Sequence, residues 1–116
     1  MNVLLEYLFI YQMNFRISHF PNRIFVRLYN NDDFIGKYEI NKSINYLYNL
    51  FVVKKKRNNG YGKDLIEHAK AQNKIFCLEV NGDNEIAKKL YNKCGLNKTI
   101  PYYNSKSDSY KYHWSK

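Results

Sequence analysis

Residues 57–62 read Arg57-Asn58-Asn59-Gly60-Tyr61-Gly62, between an apolar run at 47–53 and a stretch of good helix formers at 63–73. A strand that ends in a glycine-bearing turn and feeds a helix is tightly constrained. The first backbone N–H groups of that helix have no partner within it, and they converge where the helix dipole is positive. Such a spot suits a phosphate. Glycine at 60 and 62 removes the Cβ atoms that would hold an anion off the backbone, and it permits positive φ. Asn59-Gly60 is also a strong two-residue hairpin signal, which would make the next segment a strand. The residues that follow oppose this: 63–72 contain one β-branched residue, with Leu65, Ile66 and Ala69 at helical spacing. Nor is this a Walker phosphate loop, since it lacks the four-residue gap between glycines and the Ser/Thr after lysine.

A chain of 116 residues makes one domain, residues 1–116, with room for a real core but not for two. With 45% hydrophobic residues and 17% aromatic, disorder is excluded as the general state. A net charge of +9 predicts attraction to polyanions, whether a phosphorylated cofactor, nucleic acid or an acidic surface. Cys77 and Cys94 occupy apolar positions of separate elements and read as buried free thiols of a reducing compartment. The apolar run at 3–11 carries Glu6 and lacks a basic leader and a cleavage site, and it is too short to span a bilayer. It reads as a buried strand or short helix, and the chain as a cytoplasmic protein with no membrane partner.

The rest of the pattern is mixed. Residues 24–29 and 34–40 read as a hairpin around the turn at 30–33, and 44–53 as a third, longer strand. Residues 75–80 make a fourth strand. Ile86, Ala87, Leu90, Tyr91 and Cys94 share one helical face in 84–94, with Asp83 or Asn84 as N-cap and Gly95 as the terminator. Two short strands at 97–103 and 109–114, joined by a turn at 104–108, close an α+β (mixed α/β) domain.

Three residues stand out as carriers of chemistry. Both faces of strand 75–80 look apolar, so Glu79 is expected to lose solvation, to have its pKa raised, and to become a proton acceptor near neutral pH. The alternative is that Glu79 points to water or pairs with a lysine. Tyr91 lies on the apolar face of its helix and reads first as a core tyrosine. That helix follows the strand of Glu79 directly, which would let the two flank one cleft. Asn84 is a cap, or more than a cap. The three histidines have no metal-ligand spacing with each other or with cysteine, so no metal site is expected. Lys54, Lys55, Lys56 and Arg57 form either a solvated face or a phosphate-holding one.

Two blocks together resemble a known family. Leu50-Phe51-Val52 followed by Arg57-Asn58-Asn59-Gly60-Tyr61-Gly62 is similar to the acetyl-CoA loop of the GCN5-related N-acetyltransferase superfamily, Q/R-x-x-G-x-G/A after a strand. Leu78-Glu79-Val80, then Asn84, Ala87, Leu90-Tyr91 and Gly95-Leu96, resembles its next motif, most closely in the ribosomal-protein alanine N-acetyltransferase branch. The resemblance covers residues 34–103. It implies the acyl-CoA N-acyltransferase fold, a mixed, mostly antiparallel sheet flanked by helices, and acetyl-CoA as co-substrate without a metal.

By the same resemblance, Leu50, Phe51 and Val52 pair with the pantetheine arm, and Arg57, Asn58, Asn59, Gly60, Tyr61 and Gly62 cradle the pyrophosphate. Asn84 contacts the cofactor, Glu79 is the proton acceptor and Tyr91 the proton donor. The implied acceptor is a primary amine, foremost a protein or peptide N-terminus, with a polyamine or aminoglycoside as the alternative. A non-catalytic module that binds CoA or nucleic acid is the rival, and the +9 charge leaves room for nucleic acid or ribosome contact. The chain departs from the family pattern in two places. The usual pair of helices after the first strand is shortened or missing, and Asn45 and Asn49 stand where the middle of the third strand often bears an acidic residue.

Overall fold

The structure, a computed structural model, describes residues 13–98, 102–104 and 107–116. The apolar run at 3–11 lies outside them. Eight strands form a single sheet in the order β1-β2-β3-β4-β5-β8-β6, with β7 also on β8. They are β1 (Met13–His19), β2 (Arg23–Asn30), β3 (Asp33–Asn41), β4 (Tyr46–Val52), β5 (Ile75–Asn81), β6 (Asn97–Lys98), β7 (Tyr102–Asn104) and β8 (Ser107–Ser115). Two α-helices accompany them, α1 (Tyr61–Gln72) and α2 (Glu85–Lys93), with a 3-10 turn at Lys54–Lys56. All strand pairs are antiparallel except β4 with β5. This is the mixed, mostly antiparallel α+β architecture that the sequence implies.

Several boundaries move. β1 was not legible as a strand, and it joins β2 through residues 20–22 alone, so no helix intervenes there. The third strand starts at Tyr46 rather than at 44, because Asn45 turns with φ 50° and leaves Ile44 exposed. The segment at 97–103 resolves into β6 and β7, with 99–101 outside the described residues, and Ser107 and Asp108 belong to β8 rather than to a turn.

Side-chain alternation assigns the two faces of the sheet. Register places Phe15, Leu28 and Gly36 in one cross-strand row and Ile17, Val26 and Tyr38 in another on the same face. Both helices lie on this face. From α1, Leu65, Ile66 and Ala69 are fully buried, and His68 stacks on Phe15 at 4.0 Å between ring centroids. From α2, Tyr91 meets Tyr112 of β8 edge to face at 5.4 Å. Burial of each large aliphatic side chain here contributes about 1.5–3 kcal/mol. The opposite face carries Arg16, Arg27, Lys37 and Phe51 in one register row, and no described helix covers it. Ile86, expected on the apolar face of its helix, is 81% exposed, while Tyr91 of the same helix is buried. Gly95 at φ 77° ends α2 as expected, with Leu96 N–H bonded to Tyr91 O and Gly95 N–H to Asn92 O.

Gly36 is needed for steric reasons, since a Cβ there would run into the Phe51 carbonyl oxygen and press on Val52 and Leu65. Gly36→Ala is expected to destabilise the domain by about 1–3 kcal/mol, the range for overpacking a tight site. A urea unfolding midpoint equal to wild type would show that β4 yields freely.

The Tyr38 hydroxyl lies 2.6 Å from His68 Nδ1. Burial pushes the Tyr38 phenol up and holds the His68 imidazole below its ordinary value near 6.5, so the bond joins two neutral groups until the imidazole takes a second ring proton. The folded protein then takes up this proton at lower pH than the unfolded chain. The stabilisation is complete above the unfolded value and is lost as pH falls through the folded one. Melting temperature should fall from pH 7.5 to 5.5, and His68→Leu should flatten that slope. An unchanged slope in the variant would assign the acid sensitivity elsewhere.

Candidate active site

β4 and β5 are fed by the α1 crossover and pair in register only at Tyr46 and Cys77, where Cys77 N–H donates to Asn45 O at 2.8 Å. Beyond that pair the strands part. The opening is a cleft of about 450 Å³ lined by residues 46–50 of β4 and 78–81 of β5, with Asn84 and Tyr91 from the α2 side and Ser109 from β8.

A bulge in β4 contributes to the parting. Lys37 faces Phe51 and Glu39 faces Tyr48, so Asn49 and Leu50 together oppose Tyr38. Asn49 sits at φ 52°, a left-handed conformation that asparagine tolerates better than most residues. Past the bulge, Val53 N–H bonds Ile35 O. Peptide groups alternate sides along a strand, so the N–H and C=O of Val52 point away from β3, toward the cleft side. The Val52 carbonyl accepts from Arg57 Nε at 2.9 Å.

The residues singled out from the sequence gather around this opening. Glu79, Tyr91 and Asn84 line the cleft, as does Leu50, while Phe51 and Val52 continue the strand toward the glycine loop. Of the two readings of Glu79, the solvent-facing one holds, with Lys111 of β8 as its register partner. Phe76, Leu78 and Val80 take the covered face of β5, and Glu79 projects from the open one, solvent-exposed like Ile75 and Asn81. Tyr91 is buried, and burial, followed by Cys94, Tyr112 and Tyr46, pushes its phenol up to about 12. Asn84 is the cap of α2, its side chain accepting from Ala87 N–H at 3.1 Å. Cys94 is buried and Cys77 half-buried, and both are free thiols.

Tyr46 was missed. Its phenol is pushed up by burial first and then by Glu79 and Cys77, and it in turn acts on Tyr91. It lines the same cleft as the carboxylate and the buried phenol. Its signal in the sequence was only a tyrosine two positions before Tyr48 in a strand, in a chain with 12 tyrosines.

At the other end of the path, Gly60 caps α1 at φ 83° and offers no side chain to the helix. The first backbone bond of α1 is Asp64 N–H to Gly60 O at 3.2 Å. The N–H groups of Tyr61, Gly62 and Lys63 have no partner among the described residues. The loop is thus a strand-to-helix turn with open amides and not a hairpin. Asn58 also takes positive φ, 66°, while Asn59 spends its amide on the carbonyls of Lys56 and Arg57, both at 3.1 Å. Lys56 is engaged with Asp33 at 3.0 Å, and that lysine holds the Asp33 carboxyl below its usual range. Gly62 lets α2 approach, since a Cβ there would sit 3.0 Å from Leu90.

Known proteins share this fold. The Escherichia coli ribosomal-protein-S18-alanine N-acetyltransferase superposes with a TM-score of 0.69 at 19% identity, covering 99% of this chain and 90% of that one. Arabidopsis thaliana Naa50, solved with the bisubstrate analogue CoA-Ac-MVNAL, gives 0.66 at 26% identity, covering 79% and 72%. A spermidine N-acetyltransferase chimera from Vibrio cholerae gives 0.71 at 16% identity, covering 97% and 73%. No protein with a curated description matches the sequence. Among the described residues no helix is long and apolar enough to cross a membrane. Residues 21–96 of the 116 match the Acetyltransferase (GNAT) domain. That match takes in the β2–β3 hairpin, the parted β4, the glycine loop and α2, and the chain belongs to the GNAT acetyltransferase family.

Proposed function

We propose that this acetyltransferase moves the acetyl group of acetyl-CoA onto the primary amine of a protein or peptide N-terminus, with Glu79 as proton acceptor and Tyr91 as proton donor. The observation that carries the reading is the cleft between β4 and β5. It brings an exposed carboxylate and a buried phenol into one opening whose β4 wall runs on to a helix N-terminus with free amides.

The residues fit the cofactor. Open N–H groups at 61–63, a glycine cap and the dipole of a 12-residue helix suit a diphosphate. Arg57, held by the Val52 carbonyl, adds charge beside them. Leu50, Phe51 and Val52 offer an extended edge to the pantetheine arm, and Asn84 stands at the cleft wall. Acetyl-CoA supplies an acyl group activated as a thioester.

The remaining chemistry belongs to the chain. An amine attacks only after losing its proton, and Glu79 is placed to take it, directly or through water. The N–H of Val52, turned from β3, is the donor for the oxyanion. Tyr91, with its phenol near 12, stays protonated and donates a hydrogen bond where the thiolate develops. A solvated carboxylate accepts the proton of an α-amine, pKa about 8, far more readily than that of a lysine, about 10.4. This favours an N-terminus. Among the described residues no lysine or arginine lines the cleft, although the chain has 19, and Glu79 is its one carboxylate. One carboxylate matches one ammonium and serves a polyamine poorly.

Two outcomes are expected. Gly60→Val places a β-branched residue at φ 83° and should weaken acetyl-CoA binding at least tenfold by calorimetry, with far-ultraviolet dichroism unchanged. Equal affinity would remove the loop from the cofactor site. Tyr91→Phe should lower kcat by about 10²-fold or less with little change in cofactor affinity, since positioning survives. Thiol release at the wild-type rate across N-terminal peptides would leave Tyr91 a core residue only. A wild-type chain silent toward peptides, polyamines and aminoglycosides, yet binding CoA, would favour the non-catalytic reading.

A further inference from the structure

Glu39 is 7% exposed although it projects from the face of the sheet that no described helix covers. In register it lies between Phe25 of β2 and Tyr48 of β4. A carboxylate in such a place is costly unless it is paired. Its Oε2 accepts from Asn49 Nδ2 at 2.6 Å, while the Lys37 ammonium stands back at 3.9 Å. Asn49 is therefore its close partner.

Four described non-glycine residues have positive φ, and all are asparagines. Asn31, Asn45 and Asn58 lie in turns, and Asn49 alone lies inside a strand. There the left-handed backbone turns β4 at the bulge that opens the cleft. A side-chain bond from the neighbouring strand holds that residue. We infer that Glu39 is a positioning residue for acetyl transfer: it fixes Asn49 in the left-handed conformation and so sets the direction of the main chain from Leu50 to Val52. It touches neither substrate, since it does not line the cleft. Its action passes through the peptide groups that meet the thioester, and in this it rests on the functional reading above.

The hydrogen bond, not the charge, carries the effect. Glu39→Gln keeps an acceptor oxygen and should keep kcat within about twofold of wild type. Glu39→Ala frees the bulge and should lower kcat on the order of ten- to a hundredfold, as small misplacements of reacting groups do, with the KM for the amine little changed. Glycine adopts φ 52° without a brace. In an Asn49→Gly background, whatever its own kcat, adding Glu39→Ala should therefore cost no further activity, and the double variant should exceed Glu39→Ala alone. Rescue by a residue that restores only backbone freedom would not follow from a general loss of fold stability. Glu39→Gln as damaged as Glu39→Ala, or no rescue by Asn49→Gly, would overturn the proposal.

A wild-type protein that releases no thiol from acetyl-CoA with any amine would defeat the functional reading only. Amide hydrogen exchange at Phe51 and Val53, whose N–H groups face β3, then decides the positioning role. Exchange should be faster in Glu39→Ala than in wild type and restored in Glu39→Gln, and equal rates in all three would end it.

Discussion

The whole arrangement depends on two neighbouring strands that stop pairing. β4 and β5 share a single register pair, at Tyr46 and Cys77. Two unpaired strand edges in the middle of a sheet forgo hydrogen bonds worth about 0.5–1.5 kcal/mol each. They are tolerated where water or a ligand reaches the backbone groups, because buried unpaired groups would cost more. The cleft is that place. With the strands held apart, other contacts must join the two halves of the sheet, and the helices provide them. Lys70 Nζ of α1 reaches Cys94 O at the end of α2 at 2.7 Å, and Leu90 closes on Gly62. The glycine that leaves the loop amides open is followed by one that lets the helices meet, so the open loop and the packing draw on the same short segment.

What could be read from the sequence was what local physics decides. The glycine loop with a helix behind it, the Asn84 cap, the Gly95 terminator and the β2–β3 hairpin each rest on a few adjacent residues, and each is present. What escaped is set by neighbours distant in sequence. Glu79 could be read as buried or as solvent-facing, because Ile75 and Cys77 share its face and both are apolar. Which face a helix will cover is not written in the strand itself. Both helices chose the other side, and Ile75 is left 51% exposed along with Glu79. The start of α2 shows the same limit, for Ile86 has helical spacing but no surface beneath it.

The bulge is the most instructive case. Asparagine is a poor strand former, so Asn49 within an apolar run was a visible conflict between propensity and pattern. Such conflicts tend to fall at functional sites. Resolving this one needed Glu39, ten positions back on the adjacent strand, whose carboxylate accepts the Asn49 amide. The family trend toward an acidic residue in the third strand is not followed here, but a carboxylate is present on β3, one strand away from that position.

Charge works on two scales in this molecule. At long range the excess of +9 attracts anions, and the open amides of the α1 N-terminus are suited to one. At short range the cleft excludes every described lysine and arginine and keeps Glu79. The two fields do not oppose each other, because the parted strands separate them. The cationic row of Arg16, Arg27 and Lys37 crosses β1 to β3, while the cleft opens on the far side of β4. Under the proposed function, an amine that reaches the opening would meet Glu79, whose register partner on β8 is Lys111, and would pass its proton to that carboxylate before the carbon–nitrogen bond forms.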